Sequence, residues 1–203
     1  IVRSSDLGYK LASPIQAVGK MTQDRSAGVG GVIGSMPAVV QYDVKVVDKD
    51  RKKVSEYDFE VVRSELFTNR FAASALLGVL DRGIDRIGAG TSRVLYRIYP
   101  KGMDPIVRDN VYYSSMDITA VSLGEVLDLT DRLIGNEFQV VELERVEVEV
   151  EIGSERKTAV VERVKPDRRT VSPGESIFIE VVLRPYRGKR ETKILRLDIP
   201  EEA

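Results

Sequence analysis

The chain reads as an α+β protein that is mostly β: a β-rich region carrying two helices, then a C-terminal immunoglobulin-like β-sandwich. Three observations predict this. Short runs in which apolar and polar residues alternate recur through most of the sequence, as in half-buried strands. Only two stretches, 64–83 and 117–134, change to a helical period. After residue 137 strand-like runs follow one another between turn signals, as in a sandwich.

Residues 1–40 hold Gly8, Gly19, Gly28, Gly30, Gly31 and Gly34 together with Pro14 and Pro37. Glycine allows backbone shapes that other residues resist, so this segment predicts tight turns between short strands. We expect it to pack on, or complete, an upstream domain. The chain opens at Ile1, which fits a processed product or an excised fragment.

Residues 41–136 form the predicted α+β region. Val40, Tyr42, Val44 and Val46 share one face of a strand, the charged turn Asp48–Lys53 follows, and 54–62 returns as its hairpin partner. Phe67, Phe71, Ala75 and Val79 recur every four residues, with Ala72, Leu76 and Leu80 alongside, predicting a helix with a broad apolar face. Ser64 or Thr68 suits its start and Gly83 its end. Val94, Tyr96 and Ile98 alternate with Arg93, Leu95 and Arg97 in the next strand, and 107–113 pairs with it. Asp117 is the expected N-cap of a second helix, whose core face is Leu123, Val126, Leu129 and Leu133 and which Gly135-Asn136 stops.

Residues 137–203 are expected to form the sandwich. Val146, Val148, Val150 and Ile152 alternate strictly with Glu147, Glu149 and Glu151. Further strands are predicted at 158–164, 177–183 and 194–199, separated by Pro166-Asp167, Ser172-Pro173-Gly174-Glu175 and Arg187-Gly188-Lys189.

Composition narrows the function. The sequence has no His and no Cys. A Ser-His-Asp triad, a His proton relay, a thiolate nucleophile and a zinc cluster are therefore closed to it. Carboxylate chemistry, lysine chemistry or no chemistry remains. The 31 basic and 32 acidic residues give a net charge of -1, with no long-range attraction to nucleic acid or anionic lipid. No run approaches the roughly 20 apolar residues of a membrane helix. We expect no catalytic residue, no cofactor, no metal, no nucleic-acid partner and no membrane insertion by this chain.

Two clusters stand out. Tyr96, Tyr99, Tyr112 and Tyr113, with Arg93 and Arg97, lie on one predicted hairpin and are the candidate interaction surface. The alternative is that the rings point inward with hydroxyls at the rim. Gln23, Asp24, Arg25, Gly28, Gly30 and Gly31 form a polar, glycine-rich motif. Its GxGxxG-like spacing would cradle a phosphate only between a strand and a helix, and a β-rich segment follows instead. A turn in which the Asp24 carboxylate accepts amide hydrogens and pairs with Arg25 is the expected role. The pairs Asp48/Asp50, Asp81/Asp85 and Asp104/Asp109 would serve a carboxylate hydrolase only if two acids faced each other across a cleft. Ser4-Ser5 and Ser114-Ser115 read as loop or strand-end hydroxyls.

Tyr9-Lys10-Leu11-Ala12-Ser13-Pro14, then Gly19, then Thr22-Gln23-Asp24-Arg25-Ser26-Ala27-Gly28-Val29-Gly30-Gly31 resembles the segment downstream of the peptidase domain in bacterial SpoIVB-type serine peptidase-like proteins. The tail is similar to their C-terminal module in Ala159–Arg163, Ser172-Pro173-Gly174-Glu175 and Leu183-Arg184-Pro185-Tyr186-Arg187-Gly188. The family's Gly-x-Ser-Gly-Ser-Pro serine motif and its catalytic histidine have no counterpart in this sequence. The resemblance implies a non-catalytic portion of an extracytoplasmic or cell-envelope protein, docking on its own upstream domain or on another protein. The alternatives are a free-standing envelope or glycan-binding β module and, behind it, a carboxylate-based hydrolase.

Overall fold

Alternation from Val40 to Val46 leaves every second side chain apolar, and a strand with one apolar face must bury that face. This requirement organises the molecule. The computed structural model describes residues 2–4, 10–12, 16, 18–84 and 88–201. Strands hold 49% of residues against 19% for helix, so the class is α+β and mostly β.

The elements run β1 (Val2–Ser4), β2 (Lys10–Ala12), β3 (Gly19–Arg25), β4 (Gly28–Ile33), β5 (Val39–Asp48), β6 (Lys53–Val62), α1 (Thr68–Ile84), β7 (Gly90–Pro100), β8 (Ile106–Ser114), α2 (Ile118–Ile134), β9 (Leu143–Gly153), β10 (Ala159–Pro166), β11 (Ser176–Pro185) and β12 (Glu191–Asp198). β1–β2 and β3–β4 are antiparallel hairpins. The central sheet has order β6-β5-β9-β7-β8, with β5 and β9 parallel and the other pairs antiparallel. β10, β11 and β12 form a separate antiparallel sheet.

The central sheet consists of two ββα units flanking β9. In each, a hairpin is followed by a helix that folds back on it: α1 lies on β5 and β6, α2 on β7 and β8. Both helices therefore cover the same face. Val40, Tyr42, Val44 and Val46 of β5, Val94, Tyr96 and Ile98 of β7, and Val146, Val148, Val150 and Ile152 of β9 meet Ala72, Leu76, Leu80, Leu123 and Val126 there. Burying each large aliphatic side chain contributes about 1.5–3 kcal/mol before entropy is subtracted. The other face is open and carries charges.

Polar contacts fix the helices in place. The Asp117 carboxylate accepts the Thr119 amide at 2.9 Å as the N-cap of α2, and the Gly135 amide closes its end on the Asp131 carbonyl at 2.8 Å. The Ser122 hydroxyl donates to that of Ser92, buried at 2.7 Å between α2 and β7. Asn69 of α1 donates to Asp131 at 3.2 Å and accepts from Thr130 at 3.0 Å, tying the two helices together.

Two expectations shift. The buried series of α1 is Ala72-Leu76-Leu80-Ile84, one position round from the aromatic row. Phe67 and Phe71 stay exposed, stacked on each other with centroids 5.7 Å apart. The neighbouring aliphatic row fits beneath the sheet's own large residues, which leaves the phenylalanines outside. In addition β9, which the sequence places with the C-terminal strands, is the middle strand of the central sheet. The parity of Val146–Ile152 specifies one buried face but not whose face it is, and β5 and β7 provide pairing on both edges.

The C-terminal sheet has two unlike faces. By register, Val161 and Val164 of β10, Ile177, Ile179, Val181 and Leu183 of β11, and Leu195 and Leu197 of β12 share one face. A bulge between Val161 and Arg163 restores the apolar phase. The opposite face carries the Arg163–Glu180, Arg184–Glu162 and Arg196–Asp198 ion pairs. Among the described residues no helix and no other sheet packs on the apolar face, and Val161, Val164, Leu195 and Leu197 each remain more than half exposed.

Candidate functional site

Strand parity decides where the tyrosines of β7 and β8 go. Even positions on β7 face the helices and odd ones face outward; the register carries this across to β8. Tyr96 and Tyr112 therefore point toward α2. Tyr99 and Tyr113, with Arg93 and Arg97, belong to the open face. The six residues do not form one surface: Tyr96 is fully buried and Tyr112 half-buried.

The inward pair converges on Glu125 of α2. The Tyr112 hydroxyl and the Asn110 amide, the latter at 2.6 Å, both donate to the Glu125 carboxylate. These bonds, Tyr112 first, hold the carboxyl below its ordinary pKa. Burial, and then the Glu125 hydrogen bond, pushes the Tyr112 phenol up to about 12. The buried Tyr96 hydroxyl faces the same carboxylate without completing a hydrogen bond, and burial followed by Glu125 raises its pKa too. A carboxylate with two donors and a lowered pKa stays ionised and holds structure; it does not donate protons.

On the open face the cations are already neutralised. Arg93 grips Asp109 with two hydrogen bonds, at 2.8 and 2.5 Å, and keeps its carboxyl below the usual range. Arg97 lies 3.5 Å from Glu147, which also accepts the Tyr99 hydroxyl at 3.0 Å. Lys45–Glu149 at 3.0 Å and Arg145–Asp43 at 2.6 Å continue this ladder across β5 and β9. Exposed pairs of this kind are worth about 0–1 kcal/mol each. Glu56, Asp58 and Glu60 project from the same face of β6, with no ion-pair partner among the described residues. Like charges along an outer strand discourage another strand from adding there.

Tyr113 has a partner that sequence reasoning missed. Arg156, in the segment joining β9 to β10, places its guanidinium 4.7 Å from the Tyr113 ring centre and 4.2 Å from that of Tyr186, in the β11–β12 turn. Beside it the Thr91 hydroxyl donates to the Glu155 carbonyl at 2.7 Å and accepts the Lys157 amide at 2.9 Å. These contacts bridge the central sheet and the C-terminal sheet. Nothing in sequence spacing pairs positions 113, 156 and 186.

The glycine-rich motif forms the β3–β4 hairpin. Gly28, Gly30 and Gly31 lie in β4, and β5 follows with no helix between, so the geometry of a phosphate loop is absent. Gln23 is opposite Gly30 and Arg25 opposite Gly28. The Asp24 side chain lies outside the described residues, and with it the expected carboxylate–amide contact. Gly34 closes the hairpin in the left-handed region at φ +81°, its amide donating to the Val18 carbonyl at 2.8 Å. Met21, Val29 and Ile33 share one face of the hairpin and are exposed, Ile33 to 86%.

The remaining sequence candidates serve local structure. Asp48 accepts the Asp50 and Arg51 amides at 2.9 and 3.0 Å in the β5–β6 turn, and Asp50 accepts the Ser154 amide at 2.9 Å. The Ser114 hydroxyl accepts the Met116 and Asp117 amides ahead of α2. Ser5 and Asp85 lie outside the described residues. No cluster of three metal-ligating side chains occurs among the described residues, and no helix there is long and apolar enough to cross a membrane.

Searches with this chain find no matching family model, no matching curated protein and no matching solved structure.

Proposed function

We propose that this chain is a non-catalytic docking and structural portion of a SpoIVB-type peptidase-like protein of the cell envelope or exterior, and that its N-terminal hairpin seats on an upstream domain of that parent. One observation carries the reading. β3–β4 is a two-stranded ribbon whose Met21, Val29 and Ile33 lie in solvent and which makes no extended packing contact with the central sheet. An isolated two-stranded ribbon is at best marginally stable in water, so its apolar side chains call for a neighbouring surface. The segment is the same one that bears the Thr22–Gly31 resemblance. In this reading the α+β body is the rigid support, and the C-terminal sheet is one half of an immunoglobulin-like sandwich.

The test is binding between this chain and the separately expressed upstream domain of its parent, followed by hydrogen exchange. The expected result is a complex that protects the β3–β4 amides and is lost on Val29→Asp with Ile33→Asp. These positions are exposed, so the body's thermal unfolding should not change. Absence of a complex would sink the reading. So would peptide hydrolysis by the purified chain that is abolished by mutating its own serines.

A further inference from the structure

The uncovered face of the C-terminal sheet goes beyond that reading, because it involves a different surface. We propose that this face is a homodimer interface: two copies of the chain pack β10–β12 face to face and complete a six-stranded sandwich.

The first argument is the distribution of side chains. Val161, Val164, Ile179, Val181, Leu195 and Leu197 make one continuous apolar face across all three strands. A three-stranded sheet with such a face requires a second layer, and sheets in a sandwich pack about 10 Å apart.

The second argument is size. Three strands spaced by about 4.8 Å and eight residues rising about 3.4 Å each give roughly 400 Å² of flat face. That matches the largest apolar patch of a typical monomer, about 300–600 Å², which is often functional. Two copies remove about 800 Å² of flat face, short of the roughly 1,000 Å² that a stable interface clears, so the dimer is a weak, reversible one.

The third argument is charge. The charged residues on this face are Glu191 and Lys193, at one end, and they pair with each other at 3.6 Å. The face is therefore neutral, and its apolar centre holds no charge for a second copy to oppose. The opposite face interleaves Val160, Phe178 and Ile194 with Arg163, Arg184 and Arg196, each arginine held by a carboxylate, so its apolar side chains are broken up by charge.

Sedimentation across the micromolar range tests the proposal. The expected result is a monomer–dimer equilibrium. Leu195→Glu should shift it to monomer, and Val164→Glu should repeat the effect. Ile194→Glu, on the opposite face and 72% exposed, should leave the dimer intact. Far-UV circular dichroism checks that each variant is folded. Because the sequence has no native Cys, Val164→Cys provides a second readout: a short bismaleimide should join two copies of the folded chain. A monomer at every concentration, or a dimer that persists in both glutamate variants, overturns the proposal. Neither outcome bears on hairpin docking to the upstream domain, which is read by a separate complex.

Discussion

The Tyr112 hydroxyl donates its hydrogen bond to the Glu125 carboxylate, joining the edge strand β8 to α2. A hydrogen bond to a charged acceptor is worth about 1.5–3 kcal/mol when its surroundings are dry, and less where water competes as here. Tyr112→Phe and Glu125→Gln should each lower stability by about 1 kcal/mol, and the double variant should lose less than the sum. Denaturant unfolding of the four proteins measures this. The pH dependence has a definite sign. The folded pKa of Glu125 lies below its ordinary 4.5, so its contribution is complete above 4.5 and fades as pH falls through the lower folded value. Glu125→Gln should flatten the acid limb of the stability curve. An unchanged acid limb would contradict this role for the carboxylate.

Tyr42 gives the opposite limb. Its ring is buried and stacked on Phe59 with centroids 5.1 Å apart, while its hydroxyl has no hydrogen-bond partner. Burial pushes its pKa to about 12 from an ordinary 10.0, and Tyr112 reaches about 12 as well. Raised pKa values stabilise the fold fully below about pH 10 and lose that contribution as pH climbs toward about 12. Absorbance at alkaline pH should therefore report part of the tyrosine titration only as the chain unfolds. Removing an unpaired buried hydroxyl removes its desolvation cost, about 1–3 kcal/mol for such groups. Tyr42→Phe should leave stability equal or higher by about 1 kcal/mol, and a clear loss in thermal unfolding would show that the hydroxyl has a partner after all.

These residues mark where sequence reading succeeds and where it stops. The period of 117–134, the Asp117 cap and the Gly135 stop are local facts, and α2 forms as they require. Parity along β5, β7 and β9 identifies the buried side chains, because alternation depends on the strand alone. It does not identify which strand is the neighbour. β9 has the same Val/Glu pattern whether it pairs with β5 and β7 or with β10. The repeated ββα arrangement, Val39–Ile84 and Gly90–Ile134, was hidden for the same reason: its halves share topology rather than a motif. The tyrosine cluster was legible as a group, but its split between Glu125 and the open face follows from register. The apolar face of β10–β12 is masked in the sequence by the bulge at Glu162, which breaks the alternation.

The Arg156 bridge should control how firmly the two sheets are joined. A guanidinium over an aromatic ring is worth about 0.5–1 kcal/mol at an exposed site, and Arg156 has two such rings. Tyr186→Ala removes one of them and leaves Arg156 and Lys157 as tryptic sites. Limited proteolysis should then cut the 154–158 segment several-fold faster, while the central sheet unfolds at an unchanged temperature. Arg156→Lys keeps the charge but loses the planar stack, and should behave like the alanine variant. Equal cleavage rates in all three proteins would mean that the Thr91 contacts with Glu155 and Lys157 suffice.

Gly83 tests the packing of α1 on β5. In an exposed helix, replacing glycine by alanine gains about 1 kcal/mol. Here a Cβ would stand 2.8 Å from Val46 Cγ1 and 3.0 Å from Val46 Cβ, closer than carbon atoms tolerate. Val46 is held in the core between Val44 and Asp48, so it has no room to retreat. Overpacking of this kind costs about 1–3 kcal/mol, which exceeds the helical gain. Gly83→Ala alone should therefore destabilise the chain. Adding Val46→Ala removes the clashing methyl groups, and the double variant should recover part of the loss even though Val46→Ala alone is itself destabilising. That sign reversal, read from denaturant midpoints, separates steric contact with β5 from a generic effect on the helix. If the second substitution simply adds its own penalty, α1 does not approach the sheet closely at Gly83.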